Sequence, residues 1–241
     1  MIRKILNICS MLAAAMPAAA EESKYATPRW GAVELSAGIY RPKIDSEFGG
    51  NGPFSTAFGS GRGVMFRADF AYSLLVNYGT LDLGIGAGYT QRTGKGQLPN
   101  GGGPSADETS LKIIPVRLTL TYRYDVLALR YRWLPLVPFG RVSLDRYNWW
   151  VTNGSGDTAK AGSRSGRGAT NGYSFSGGLA LLLDSLDPTL ARDMDRNSGI
   201  NHTYLFAEFT KSYIKDFGSS SSWDLSDDRK LAFSGGLMFQ F

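Results

Sequence analysis

The chain ends Phe233-Ser234-Gly235-Gly236-Leu237-Met238-Phe239-Gln240-Phe241. Phe241 has apolar residues two, four and eight positions before it, with Ser234, Met238 and Gln240 in between. Side chains of an extended strand point alternately to its two faces, so this stretch reads as a strand with one apolar face. The same period of two recurs upstream. Val33, Leu35, Ala37 and Ile39 alternate with Glu34, Ser36, Gly38 and Tyr40. Phe66, Ala68, Phe70, Tyr72 and Leu74 alternate with Arg67, Asp69, Ala71 and Ser73, and Leu81 to Tyr89 alternates with Asp82, Gly84, Gly86 and Gly88. Ile114 to Tyr122 alternates with Pro115, Arg117, Thr119, Thr121 and Arg123. Val142 and Leu144 stand against Arg141, Ser143 and Asp145 within 137–150; Phe175 to Leu183 stands against Ser174, Ser176, Ala180 and Asp184. Leu205, Ala207 and Phe209 stand against Tyr204, Glu208 and Thr210. With the terminal strand, these segments predict eight strands.

Composition agrees. The 241 residues include 30 glycines, about 12% against a usual ~7%, while aromatics also make up 12%. Disordered chains are poor in aromatics, coiled coils are poor in glycine, and collagen needs a triplet repeat. A mean hydropathy of −0.17, with one long apolar run only, excludes a bundle of membrane-crossing helices. Antiparallel β-structure is what remains.

A soluble sandwich and a membrane barrel share the period of two. They differ in the polar face. A sandwich turns that face to water and fills it with long flexible charges. Here it carries Glu34, Arg67, Asp69, Asp82, Arg117, Arg123, Arg141, Asp145 and Glu208 among glycine and serine. Opposite charges beside small residues suit a narrow interior where ions must pair. Tyr72, Tyr89, Tyr122, Tyr124, Trp150 and Tyr213 lie near strand ends, where a barrel has its interfacial aromatics. The reading is all-β: an eight-stranded antiparallel up-and-down transmembrane β-barrel with short periplasmic helical turns. At eight strands the lumen is just filled by side chains. The glycines Gly84, Gly86, Gly88 and Gly178 raise the alternative of a narrow channel or a binding cavity for a small solute or apolar ligand.

Arg3 and Lys4 precede an apolar stretch from Ile5 to Met16, followed by Pro17 and Ala18-Ala19-Ala20. This is the layout of a secretory signal peptide, cleaved after residue 20. Residues 21–29 then form a periplasmic N-terminal segment and 30–241 the barrel. Cys9, the chain's one cysteine, falls inside the leader, so no disulfide framework is expected. Losing Arg3 and Lys4 takes Lys+Arg from 26 to 24 against 21 acids, so the net charge falls from +5 to +3. That is too slight a balance to imply nucleic-acid binding. The long connections 42–62, 93–109, 152–170 and 215–229 are the expected external loops. The short ones are a turn at Asn77-Tyr78-Gly79, a helix over Val126 to Trp133 capped by Asp125, and a second helix over Thr189 to Asp195 opened by Asp187-Pro188.

The terminal residues Phe233, Leu237, Phe239 and Phe241 resemble the β-signal of bacterial outer-membrane proteins, which the barrel-assembly machinery reads. An unpaired alternating strand can add edge-on to another sheet, which is the physical basis for such reading. Trp30 to Glu34, Asp125 to Ala128, Pro135 to Phe139, Leu186-Asp187-Pro188 and Asn201 to Glu208 resemble a family of small outer-membrane β-barrels best known from myxobacteria. The resemblance covers about residues 28 to 241. It implies the outer membrane of a Gram-negative cell and this architecture, and it carries no activity.

Catalysis is tested by its usual bases. His202 is the single histidine and begins the seventh strand at the periplasmic end, far from the outer leaflet where a lipid A-modifying enzyme needs its site. The acid pairs Asp145 with Glu208, or Asp69 with Asp82, stand among arginines and read as interior salt bridges. Asp224, Asp227 and Asp228 match no calcium cage. Lys160, Arg164 and Arg167 give the third loop a basic character suited to lipopolysaccharide phosphates. The expectation is a monomeric, non-catalytic anchor or adhesive surface protein without cofactor or metal, in contact with outer-membrane lipids and lipopolysaccharide.

Overall fold

A computed structural model describes residues 28–49, 52–97, 103–131, 133–161, 164–219 and 222–241. The leader and most of the segment 21–29 lie outside these residues. Eight antiparallel strands close into a barrel: β1 (Gly31–Tyr40), β2 (Gly63–Leu75), β3 (Thr80–Gln97), β4 (Pro104–Arg123), β5 (Leu136–Thr152), β8 (Arg167–Leu182), β9 (His202–Ile214) and β10 (Ala232–Gln240). Each pairs with its neighbour in sequence, and β10 pairs with β1 to complete the circle. Two short strands, β6 (Lys160–Ala161) and β7 (Arg164–Ser165), form a separate small hairpin in the third loop. Closure removes every sheet edge.

The ladders are staggered. Following Cα partners from Glu34 through Asp69, Gly86, Arg117, Asp145, Gly172 and Ile214 leads back to β1 ten residues farther along. A stagger of that size over eight strands tilts them by roughly 40° and leaves a lumen that side chains fill. At the seam, the Trp30 amide donates to the Phe241 carbonyl at 2.7 Å and the Phe241 amide donates to the Gly31 carbonyl at 2.8 Å.

The two ends differ. At the end holding both termini the connections are a tight turn over residues 76–79 and two that carry helices, α2 (Val126–Arg130) and α3 (Pro188–Ser198). Asp187 caps α3 by accepting from the Thr189 and Leu190 amides at 3.0 Å each, and Pro188 occupies its first turn. At the other end β3, β4, β5 and β8 run 16 to 20 residues, whereas β1 and β10 have 10 and 9. One side of the wall therefore projects beyond the other by roughly 15–20 Å.

Four sequence expectations change here. In the stretch expected as a loop, residues 93–97 and 104–109 are strand, with Thr93 paired to Ser110 and Lys95 to Glu108. The helix expected over Val126 to Trp133 ends at Arg130, and the one expected over Thr189 to Asp195 extends to Ser198. The first external loop is structured: a 3-10 turn over Ile44–Phe48 and helix α1 (Pro53–Phe58) fold across the barrel mouth. Asp45 joins them, accepting from the Phe54 and Ser55 amides at 3.0 Å each.

Candidate functional site

Alternation sorts the wall into two environments. Glu34, Asp69, Asp82, Arg117, Arg123, Arg141, Asp145 and Glu208 are all buried in the lumen, and Arg67 is nearly so. Outward, Leu35, Phe66, Ile85, Leu118, Leu144 and Phe209 are 49 to 61% exposed. The molecule is thus polar inside and apolar outside. In water that exterior would be a continuous aggregation surface.

The lumen is built in three layers. Its floor, at the terminal end, is apolar: Ala32, Val137, Phe139, Ala180, Leu182, Tyr204, Phe206 and Met238, closed from below by Ala128 of α2. Its roof is also apolar. Tyr40, Met65, Leu111, Ile113, Tyr147 and Ile214 point in from the strands, and Ile44, Phe54 and Leu225 fold over them from the loops. The Tyr40 hydroxyl donates to the Leu225 carbonyl at 2.7 Å, and Trp223 stacks on Trp149 with ring centroids 4.2 Å apart.

Between floor and roof lie the charges, each set opposite a partner by the stagger of the strands. Arg117 holds Asp69 in a bidentate pair at 2.6 Å for both hydrogen bonds. Arg141 donates through Nη2 to both Glu34 oxygens, at 2.8 and 2.6 Å, and through Nη1 to Glu208 at 3.5 Å. Its Nε donates to Thr121 at 2.9 Å. Glu208 also accepts from Ser234 at 3.0 Å and lies 3.8 Å from Arg67. Lower down, Arg123 reaches Asp82 at 2.8 Å, and Ser73 donates to the other Asp82 oxygen at 2.8 Å. Ser174 donates to Asp145 at 2.7 Å. The carboxylates offered as acid pairs are therefore held by arginine or hydroxyl donors. Arginine pairs hold Glu34, Asp69, Asp82 and Glu208, while Asp145 borders a small cavity with Ser174 as its hydrogen-bond donor.

Glycine does not open a channel. A β-carbon at Gly86 would overlap the Asp69 carboxylate, and one at Gly178 would lie 2.6 Å from the Phe139 ring. Thr119 and Pro115 press likewise on Gly84 and Gly88. These residues admit the plug. A cavity of about 20 Å³ lies within the wall, bounded by Arg67, Arg117, Asp145 and Tyr147. That is room for about one water.

No family model matches the chain, and no curated protein sequence matches it. Among solved structures the likeness is one of fold. Ail, the attachment invasion locus protein of Yersinia pestis, crystallised with the heparin analogue sucrose octasulfate, superposes with a TM-score of 0.40 at 10% identity, over 88% of this chain and 99% of that one. The N-terminal β-barrel domain of Pseudomonas aeruginosa OprF gives 0.39 at 12%, over 88% and 99%. Neisserial surface protein A gives 0.44 at 13%, over 90% and 100%.

The remaining sequence candidates fall as follows. Phe233 and Leu237 point outward from β10, and Phe241 packs on Trp30 with centroids 6.0 Å apart. His202 Nδ1 meets Asp184 at 2.7 Å, and the Thr203 amide donates to the second Asp184 oxygen at 3.0 Å, so this pair staples β9 to the connection before α3. In the last loop Asp227 holds Arg229 at 2.9 Å, Asp228 holds Arg62 at 3.0 Å, and Asp224 accepts from the Ser226 amide. Those acids fasten the lid, and among the described residues no group of three metal-ligating side chains occurs. Lys160 and Arg164 lie on the β6–β7 hairpin, while Arg167 begins β8. Sequence reasoning missed Asp125, which accepts from Thr80 at 2.5 Å and from Arg29 at 3.2 Å and anchors the terminal end. Its position before a helix suggested only a cap, and its side chain makes no cap bond.

Proposed function

We propose that the chain is a bacterial outer-membrane β-barrel acting as a sealed, non-catalytic anchor that carries external loops. The observation that supports this reading is the three-layered lumen: an ion-paired centre closed by apolar layers at both ends, inside a wall whose outer face is aliphatic. A lipid bilayer is the solvent in which that outer face is stable, and a closed barrel satisfies every backbone group within it. The wall strands all have at least 9 residues, the length needed to cross when tilted. The terminal end, with its tight turn and helical connections, then faces the periplasm, and the lid and the projecting hairpins face outward. The β-signal-like terminus fits delivery by the barrel-assembly machinery, and the resemblance to small myxobacterial barrels belongs to the same reading. A monomer is expected, since closure leaves no strand edge to share.

Protein extracted from membranes should migrate faster unheated than boiled. In planar bilayers it should give no steady openings above the leak of protein-free membranes. Regular single-channel steps would argue instead for the narrow-channel reading.

A further inference from the structure

Two features of the outer wall remain unused by the anchor reading: its projecting side, and the cations on it. On the outer face of β3, β4, β5 and β8, Gln91, Lys112, Trp150 and Arg167 are direct cross-strand partners in one row. Such partners have Cα atoms about 4.5–5.5 Å apart. Four residues along the strands towards the apolar band lies a second row, Val116, Arg146 and Asn171, with Ile114, Asn148 and Ala169 between the two. One rung further, Leu118, Leu144, Tyr173 and Tyr213 form the upper edge of the apolar band.

Arg146 and Arg167 are exposed and Lys112 is half-buried. Among the described residues Lys112 and Arg167 meet no carboxylate, and Arg146 donates to Asn171 at 3.1 Å. Asp216, the acid beside Asn171, is occupied by the Asn171 amide at 2.7 Å and by the Ser222 hydroxyl. Those donors hold its carboxyl below the usual range. Three cations, a tryptophan and two asparagines therefore share one face about 10 Å wide and 15 Å tall, continuous with the lipid-facing band.

Resting on the membrane reading above, we propose that this face binds the head group of a phosphorylated glycolipid of the outer leaflet. Arginine and lysine supply charge-assisted donors to phosphate oxygens. The Trp150 ring offers a flat apolar surface with an N–H at its edge, a fit for a sugar face. The Asn148 and Asn171 amides line the same face, the first donating to the Ile114 carbonyl and the second to Asp216, while the Asn171 oxygen orients Arg146. The acyl chains then lie against Leu118, Leu144 and Tyr173. A bare phospholipid head group satisfies the cations and leaves the aromatic without a partner. The sequence had pointed to Lys160, Arg164 and Arg167; the cross-strand registers retain Arg167 and join it to Lys112 and Arg146.

The test uses the full mature chain folded in nanodiscs. Binding is measured to a rough-type lipopolysaccharide bearing both lipid A phosphates, to the same lipid after enzymatic dephosphorylation, and to phosphatidylglycerol. Wild-type protein should prefer the phosphorylated glycolipid over either comparison lipid by about tenfold. A Lys112→Ser/Arg146→Ser/Arg167→Ser variant should lose that preference. Lys112→Arg with Arg167→Lys should keep it, and Trp150→Ala should weaken glycolipid binding while sparing phosphatidylglycerol. An Arg192→Ser/Arg196→Ser variant, neutralised on α3 at the opposite end of the barrel, should bind as wild type. If the triple variant folds, shown by heat-modifiable migration, and still binds as wild type, the proposal is overturned. Equal binding of all three lipids by wild type also overturns it. Wild-type protein that never becomes heat-modifiable in bilayers would overturn the membrane reading itself, a separate outcome.

Discussion

Replacing Arg141 by methionine will cost about 3–5 kcal/mol of unfolding free energy, because it leaves two buried carboxylates without their shared cation. Glu34 is 5% exposed and Glu208 is 0% exposed, and Arg141 is the residue that touches both. Methionine matches the stem of arginine in length, so lost packing contributes little to the effect. Equilibrium unfolding in urea from lipid vesicles measures it. The triple variant Arg141→Met/Glu34→Gln/Glu208→Gln should recover a large part of the loss, since amides need no counter-ion. If Arg141→Met alone is neutral within 0.5 kcal/mol, about the size of an ordinary surface substitution, the pairing is not what holds the lumen together.

The second large effect is expected at Gly86. Alanine is the smallest side chain that can be added there, yet its β-carbon would overlap the Asp69 carboxylate. To make room, Asp69 must leave Arg117, which is 6% exposed and gains no new partner. Gly86→Ala should therefore destabilise the barrel by about 3 kcal/mol or more, combining overpacking with a broken buried pair. Gly140 provides the control. A β-carbon there meets nothing within 4 Å, and the residue faces outward. Gly140→Ala should change stability by less than about 0.5 kcal/mol. Equal effects at the two positions would mean that Asp69 does not fill the wall at Gly86.

These two sites also mark where the sequence was legible and where it was not. Alternation alone places Glu34, Asp69, Arg117 and Arg141 on one face of their strands, because the side-chain period is two and the other face is continuous Leu, Ile and Phe. It cannot say that Arg141 on β5 reaches across the lumen to Glu34 on β1. That pairing depends on the ten-residue stagger, which is a property of all eight ladders together. The same ignorance of register turned Gly86 into an open wall, although Asp69 is its direct cross-strand partner. Residues 93–109 read as a loop for a different reason. Above the apolar band the outer face of the β3–β4 hairpin meets water and the inner face packs on the short helix α1, so Gly94, Lys95 and Gly96 continue the strand with no apolar alternation to signal it. The lid over the mouth was hidden too. Its short helix begins at Pro53 after a glycine-rich run, and its cap, Asp45, lies eight residues before that proline rather than beside it.

The glycolipid face was invisible for the same reason as the ion pairs. Lys112, Trp150 and Arg167 are far apart in the chain and become neighbours through two separate registers.

The central claim is that the apolar exterior lies in a bilayer with the lid outside and the helices beneath. Cys9 is the single cysteine, so with Cys9→Ser as the background, single cysteines introduced elsewhere report alone. The decisive measurement is labelling of Ser155→Cys, Leu144→Cys and Leu190→Cys in intact cells with a membrane-impermeant maleimide. Ser155→Cys should label at once, Leu190→Cys only after the outer membrane is permeabilised, and Leu144→Cys in neither case until the protein is denatured. Labelling of Leu144→Cys in the native protein once the outer membrane is permeabilised, with the protein recovered from the soluble periplasm, would contradict the account.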